Sequence, residues 1–291
     1  MIQNVLSISD KNFVKVNMLS GVNSIQHYFY EDNIECLLVY KSCELVGIVT
    51  EKELITAHPN RIVADIMSNK YVCVKGSTYI WKALEIFNQN NDLEIMIVKD
   101  KSEITGFITR TILKIELGKH IDLLTGFYKS DYIFYNAYKL IEENKSISVI
   151  FMDLDNFGFI NKKYGHINGD KVLKSVASIL KKNISAYNNI YFCRYAGDEF
   201  AILTCYSLNE NEALADRIIS LVRRNIFSEK ILVSISIGIA GCKARNLHEK
   251  ADILSCIDKL INAASLASTK AKNIDRHLFV VKDIGDISTD N

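Results

Sequence analysis

The chain has 291 residues, 48% of them apolar and 24% charged, with 35 Lys and Arg against 34 Asp and Glu for a formal net charge of +1. At about 100 to 200 residues per domain this is two domains or one large one, and the even charge balance removes the electrostatic case for a nucleic-acid-coating or basic membrane-surface protein. Disordered, collagen-like and coiled-coil-only architectures are excluded by composition. The seven cysteines form no Cys-x-x-Cys pair and have no histidine at zinc spacing, so they read as core thiols of a reducing compartment rather than a metal site. The first residues lack a signal peptide's basic start and long apolar run, and the apolar stretch 231–240 is about half of what spans a bilayer, so a cytoplasmic protein is expected.

In chain order, the first feature is a repeat. Residues 33–54 lie on 92–113 without a gap at an offset of 59, with identities at Glu35/Glu94, Val39/Val98, Glu44/Glu103, Gly47/Gly106, Thr50/Thr109 and Leu54/Leu113. Each copy reads as strand, polar turn, strand ending in Gly-apolar-apolar-Thr, and a helix capped by that Thr; Ile80, Ala83, Leu84 and Phe87 lie at helical spacing before the second. Residues 111–124 read as one helix, with Leu113, Leu117, His120 and Leu124 forming a two-heptad seam. It is either a coiled-coil linker between domains or an ordinary helix packed on its own domain. Beyond it the pattern alternates: helix 132–143, strand 147–152, a helical stripe at Val172, Leu173, Val176, Ile179 and Leu180, strands 190–193 and 199–205, helix 210–224, strand 231–237, helix 253–272 and a short strand 277–281. The expected fold is α+β: a duplicated β-α-β-β-α unit, a linker helix, and a helix-covered sheet of about five strands with a hairpin at 194–199.

The segments Leu45-Val-Gly-Ile-Val-Thr-Glu-Lys-Glu-Leu54 and Val63-Ala-Asp-Ile-Met-Ser68 make residues 1–113 resemble a pair of CBS motifs, the small-molecule-sensing Bateman module. A duplicated structural or dimerisation unit without a ligand is the other reading. In ligand-binding CBS pairs a Thr or Ser near this turn contacts phosphate or ribose, and an acid three residues later accepts from the ribose diol. The first copy keeps this as Thr50 and Glu53, whereas the second has Thr109 but Ile112. The resemblance implies an adenine nucleotide as regulatory ligand, with Glu53 as a plain first-turn helix acid the alternative.

The chemistry is concentrated in the second half. Asp153-Leu154-Asp155 closes an apolar strand, so two carboxylates point to one side of a strand end and favour a hard cation. Arg194-Tyr-Ala-Gly-Asp-Glu-Phe200 lies between two strands and presents Asp198 and Glu199 from the turn. Either cluster alone could be solvated turn acids. Their order, with Asn161, Tyr164-Gly-His166, Gly169-Asp170, Ser236-Ile-Gly-Ile-Ala240, Ala271-Lys272 and Arg276, makes residues 120–282 resemble the GGDEF domain of diguanylate cyclases. Asp122-Leu-Leu-Thr-Gly-Phe127 is similar to that family's opening turn, and the domain is expected to fill 122–291.

The resemblance implies that two antiparallel subunits each bind a GTP and join them into cyclic dimeric GMP, releasing pyrophosphate. Carried over, Asp153, the carbonyl of Leu154 and Glu199 hold Mg²⁺ or Mn²⁺, and Asp198 shares the metal and acts as general base. Asn161 and Asp170 read guanine, a base whose N1–H and N2–H₂ suit a carboxylate as adenine does not. Asn156, Phe157, Gly158 and Gly197 contact substrate, and Lys272 and Arg276, four residues apart on one helix, face the triphosphate. Departures from the family pattern are Ala196 for the first motif glycine, Gly158 for a lysine, Lys162 for an acid, Asp275 for a glycine and Thr269 for a tyrosine. The stretch 187–190 lacks the Arg-x-x-Asp of product inhibition, so no feedback through that site is expected. The expected partners are GTP and a second copy, without nucleic acid or membrane. A catalytically weak GTP-binding regulator with a CBS dimerisation module is the alternative, and a polymerase-like palm lacks the basic groove it would need.

Overall fold

The computed structural model describes residues 3–184, 189–243, 249–273 and 278–281, and the chain divides into two compact units, Met1–Lys119 and His120–Asn291. Both are α+β. Among the described residues no helix is long and apolar enough to cross a membrane.

The first unit contains the repeat twice over. β1 (Phe13–Asn17), α1 (Val22–Tyr30), β2 (Cys36–Lys41), β3 (Glu44–Val49) and α2 (Glu51–Ile55) form the first copy, followed by the short α3 (Val63–Ile66). β4 (Tyr71–Lys75), α4 (Ile80–Gln89), β5 (Ile95–Asp100), β6 (Glu103–Thr109) and α5 (Arg110–Lys119) form the second. In each three-stranded sheet the first strand runs parallel to the second and the third antiparallel, with a register shift at the equivalent residues Val39/Tyr40 and Val98/Lys99.

The two copies exchange their leading segments, which the repeat alone did not reveal. Asp10 bridges Phe107 of β6 just as Ser68 bridges Ile48 of β3, and Asn4 bridges Tyr79 just as Ile62 bridges Gly21. Residues 4–10 are therefore the counterpart of 62–68, each laid on the other copy, and Val5 and Val63 are both fully buried. The repeat glycines follow from this. A Cβ on Gly106 would sit 2.5 Å from the Asp10 carbonyl, and one on Gly47 2.8 Å from Met67 Sδ.

The expected helix over 111–124 is corrected: α5 spans Arg110–Lys119 and stops there. Leu113 and Leu117 are buried rather than presented as a free seam, and Leu123 is 94% exposed. The chain beyond is held in a turn, because the Asp122 carboxylate accepts from Thr125 N at 2.9 Å and Thr125 Oγ1 at 2.6 Å, bonds that compete with helix continuation.

The second unit comprises α6 (Ser130–Glu142), β7 (Ile147–Leu154), α7 (Phe157–Tyr164), α8 (His166–Ile184), β8 (Tyr191–Ala196), β9 (Glu199–Thr204), α9 (Leu208–Arg224), β10 (Ile235–Cys242), α10 (Lys250–Asn273) and β11 (Leu278–Val281). The sheet order is β11-β10-β7-β9-β8, with β7 central. Side chains alternate across it: Ile150, Met152, Phe200 and Ile202 pack with Val172, Val176 and Ile218 of α8 and α9, while Val149, Phe151, Ala201 and Leu203 pack with Ile133 of α6 and Ile257 and Leu260 of α10. The expected strand 231–237 begins instead at Ile235 and runs to Cys242. Ile231 and Val233 are buried at alternate positions and so mimic a strand, but they belong to an irregular approach to the sheet.

Candidate active site

Strand register sets the first pair of carboxylates. Asp153 is paired with Glu199 across β7 and β9, and with Ser236 on its other side across β10. Cross-strand partners project to the same face with Cβ atoms about 5 Å apart. Asp153 continues the row of Val149 and Phe151, and Glu199 that of Ala201 and Leu203, so both acids lie where the α6/α10 face of the sheet reaches its end.

Asp198 stands beside them in the tight turn between β8 and β9, where Gly197 takes a left-handed φ of 44°. Leu154, on the opposite, buried face, donates its N–H to the Asp198 carbonyl at 3.4 Å, tying the turn to the end of β7. Arg194 fixes the turn from the other side. Its Nε and Nη2 donate to the Gly197 carbonyl at 2.8 and 2.6 Å, while Nη1 holds Asp122 at 2.9 and 3.0 Å. Burial disfavours the Asp122 carboxylate, yet the Thr125 and Arg194 hydrogen bonds outweigh it and hold its pKa below the usual range. The opening turn and the acidic turn are thus one clamp, a role for Arg194 that its place at the head of the motif did not disclose.

Lys272 supplies the positive charge, with Nζ 3.0 Å from Asp153 Oδ1. It arrives there because α10 lies directly on β10. Gly238 has no side chain to hold the helix off, and a Cβ there would collide with the backbone of Ala264, Ala267 and Ser268. The same strand presents Ser236, whose Oγ donates to Asp155 at 2.7 Å and orients the second acid of the Asp-Leu-Asp run.

The three site acids oppose one another. Burial raises the pKa of Asp198 and the Asp153 charge adds to it, with Asp198's own backbone N–H, Lys272 and Arg194 pulling the other way. Glu199 is raised by burial first, then by Asp153 and Asp198, against Lys272. Among the described residues no three His, Cys, Asp or Glu side chains are grouped to hold a metal by themselves. A cation bound here would take one or two carboxylates and complete its shell with backbone carbonyl, water or phosphate oxygens, as Mg²⁺ commonly does.

The remaining candidates lie at the α7–α8 corner. Asn156 is left-handed at φ 54° and starts α7, which places the Phe157 and Gly158 amides in the first turn, where N–H groups have no intrahelical acceptor. Gly165, at φ 82°, breaks α7 from α8. Asn161 lies on α7 against buried Gly169 of α8, and Asp170 is exposed as the fifth residue of that helix. That is beyond the first turn, so the helix dipole does not account for it. Arg276, Asp275 and residues 187 and 188 lie outside the described residues.

In the first unit, Thr50 and Glu53 meet in a capping box: Glu53 Oε2 accepts from Thr50 N at 2.9 Å and Oγ1 at 2.6 Å. Thr50 lines a cavity of about 900 Å³ with Lys52, Lys70, Glu94 and Thr109, whereas Glu53 lines a different one of about 520 Å³ with His58 and Arg61.

Residues 119–271 match the family model of the diguanylate cyclase GGDEF domain, over more than half of the chain. The chain belongs to the GGDEF family. Upstream, residues 63–117 match the CBS domain model, which covers the second copy of the repeat, and the first copy has the same element order. Diguanylate cyclase DgcS of Shewanella oneidensis is 34% identical over 111 residues, 37% of this chain and 37% of that protein. An uncharacterized membrane protein of Staphylococcus aureus is 30% identical over 131 residues, 43% of this chain and 36% of its own length. The chain thus spans little more than a third of these curated relatives. Among solved structures, the coiled coil and GGDEF domain of DgcB from Caulobacter crescentus, in complex with cyclic dimeric GMP, aligns at TM-score 0.49 and 20% identity over 59% of this chain and 90% of that one. Diguanylate cyclase SiaD from Pseudomonas aeruginosa, in complex with its activator SiaC, aligns at TM-score 0.49 and 20% identity over 70% of this chain and 71% of that one.

Proposed function

We propose that this chain is a diguanylate cyclase that joins two GTP molecules into cyclic dimeric GMP and releases pyrophosphate, acting as a homodimer with one GTP per subunit. The observation that carries the reading is the register that sets Asp153 opposite Glu199, with Asp198 in the adjoining turn and Lys272 3.0 Å from Asp153. Three carboxylates answered by one described lysine leave an oxygen-rich, net negative site whose donors suit Mg²⁺ or Mn²⁺. Asp153, the Leu154 carbonyl and Glu199 would hold the cation, with Asp198 sharing it. A divalent cation supplies charge neutralisation for these acids and for phosphate oxygens brought against them.

The chain's own residues divide the remaining work. The Phe157 and Gly158 amides receive phosphate oxygens at the start of α7, where the helix dipole favours negative charge. Asn161 and Asp170 read the guanine edge, since placing adenine there would leave the Asp170 carboxylate without its donors. Gly197 leaves the acidic turn open to the nucleotide. Lys272 moves its charge from Asp153 to phosphate, and Arg276 joins it. Asp198, with its pKa raised by burial, is closer to the working pH than an ordinary aspartate and takes the proton of the attacking hydroxyl. One site holds one GTP, so ring closure needs a second copy: each 3′-oxygen forms a bond to the other nucleotide's α-phosphorus, and each α–β P–O bond breaks.

Sensing is assigned to 1–113 and catalysis to 122–291. An adenine nucleotide in the 900 Å³ cavity, contacting Thr50, would regulate the rate. The capping box supports a narrower part for Glu53, since one of its oxygens already serves the start of α2. Incubating purified full chain with GTP and Mg²⁺ or Mn²⁺, with and without AMP or ATP, tests all of this. Two pyrophosphates released for each cyclic dimeric GMP formed support cyclisation, and GTP retention without either product supports a binding protein.

A further inference from the structure

A pair of thiols lies at the opposite end of the same sheet, away from the carboxylates. Cys242 is the last residue of β10 and pairs with Ile147, the first of β7, whereas Asp153 and Leu154 end β7 at the other edge. Cys256 sits in the second turn of α10, and its Sγ lies 3.1 Å from that of Cys242. Both are half-buried against the α6/α10 side of the core, so neither is sealed from solvent as Cys36 and Cys193 are. Cys242 also lines a cavity of about 400 Å³ with Tyr206, Leu208, Gly241 and Lys243, and Cys256 is itself only half-buried.

We propose that Cys242 and Cys256 form a peroxide-oxidised dithiol that closes to a disulfide and staples α10 to the end of β10. The Cys256 thiol is held down at about 7, first by the hydrogen bond from Cys242 and then by Lys259, against the opposing effect of burial, so a large share of it is thiolate at neutral pH. The Cys256 sulfur attacks one oxygen of a hydroperoxide; the S–O bond forms, the O–O bond breaks, and hydroxide, or alkoxide from an organic hydroperoxide, leaves. That base takes the Cys242 proton. The Cys242 sulfur attacks the Cys256 sulfenic sulfur, the S–S bond forms, the S–O bond breaks, and the second hydroxide leaves as water after protonation. Two thiols are oxidised by two electrons, and one peroxide is reduced. Sulfurs already in contact need only a small side-chain shift to reach a disulfide of about 2.05 Å.

The staple closes a short loop and acts on stability rather than on the acidic turn, so it does not depend on the cyclase reading. The test treats the full chain with hydrogen peroxide and maps its cysteines by mass spectrometry after alkylation. The expected result is a peptide joining Cys242 to Cys256 with the loss of two hydrogens, a Tm higher by about 5 °C that dithiothreitol reverses, and, in Cys242→Ser, a Cys256 sulfenic acid captured by dimedone. Recovery of both thiols alkylated after the exposed Cys43 and Cys73 have been consumed would overturn the proposal. A disulfide to Cys205 in place of this pair, or a cross-linked chain with unchanged Tm, would overturn it too.

Discussion

Gly169 of α8 is packed against Asn161 of α7 so closely that a Cβ at 169 would occupy the space of the Asn161 side-chain oxygen, with Phe157 closing the other side. The two helices meet at the break at Gly165, and Gly169 is what lets them meet with Asn161 between them. Its backbone is helical, so the glycine is there for space.

Gly169→Ala is therefore expected to raise KM for GTP about tenfold or more, with a smaller fall in kcat, because it displaces Asn161, the side chain proposed to read guanine, and leaves the carboxylates in place. Helix propensity favours alanine by up to about 1 kcal/mol, which offsets part of the clash, so circular dichroism should show a folded chain. Steady-state kinetics with GTP checks the split; an unchanged KM would separate Asn161 from substrate.

Glu199→Gln and Asp198→Asn should abolish turnover and raise Tm by about 1 to 3 °C, since each removes a carboxylate that burial and like-charged neighbours push upward in pKa. The folded state holds these protons more tightly than the unfolded chain, so the wild type loses stability as pH rises through and just above the ordinary carboxyl range. The variants' advantage should appear over that window and vanish below it. Thermal melts from pH 4 to 7, with and without Mg²⁺, read this directly: the cation should raise the wild-type Tm and do little for Glu199→Gln.

Breaking the clamp should have the opposite sign. Arg194→Ala leaves Asp122 half-buried without its guanidinium and frees the Gly197 carbonyl, at a cost of about 1.5 to 3 kcal/mol for hydrogen bonds to a charged group. Asp122, whose pKa is lowered, contributes stability above its unfolded value that is lost as pH falls through the folded one. Urea melts at neutral pH and at pH values below the ordinary aspartate range should show that loss in the wild type and little of it in Asp122→Asn.

Gly238→Ala is expected to destabilise the second unit by more than about 2 kcal/mol and to weaken the Lys272–Asp153 pair, because α10 must lift from β10. Gly158→Ala, where a Cβ meets open space, is the contrasting substitution and should leave Tm within about 1 °C.

The sequence showed those parts of the fold that depend on nearest neighbours. The repeat, the central strand at 147–154 and the acidic hairpin were all readable, since alternation and turn residues report on local pairing. What escaped depends on distant partners. Residues 4–10 match 62–68 at Val5/Val63 and Ile8/Ile66, in a segment too short to stand out as a repeat, and the bridges to Phe107 and Ile48 disclose the exchange. The helix through 124 looked continuous because Leu117 and Leu124 keep heptad spacing, while the Asp122–Thr125 turn beyond it is anchored by Arg194, 72 positions away. Within the site, residue types pointed to Asp153, Asp198 and Glu199, which the strand register and the turn bring together. The space-making roles of Gly169 and Gly238 required three dimensions.

The most direct measurement of the central claim is product formation by the full chain with GTP and Mg²⁺, wild type beside Glu199→Gln, with cyclic dimeric GMP and pyrophosphate quantified by chromatography. The account predicts both products from the wild type and neither from the variant, whose circular dichroism is unchanged. Equal product from the two proteins, or none from a wild type that binds GTP, would contradict it.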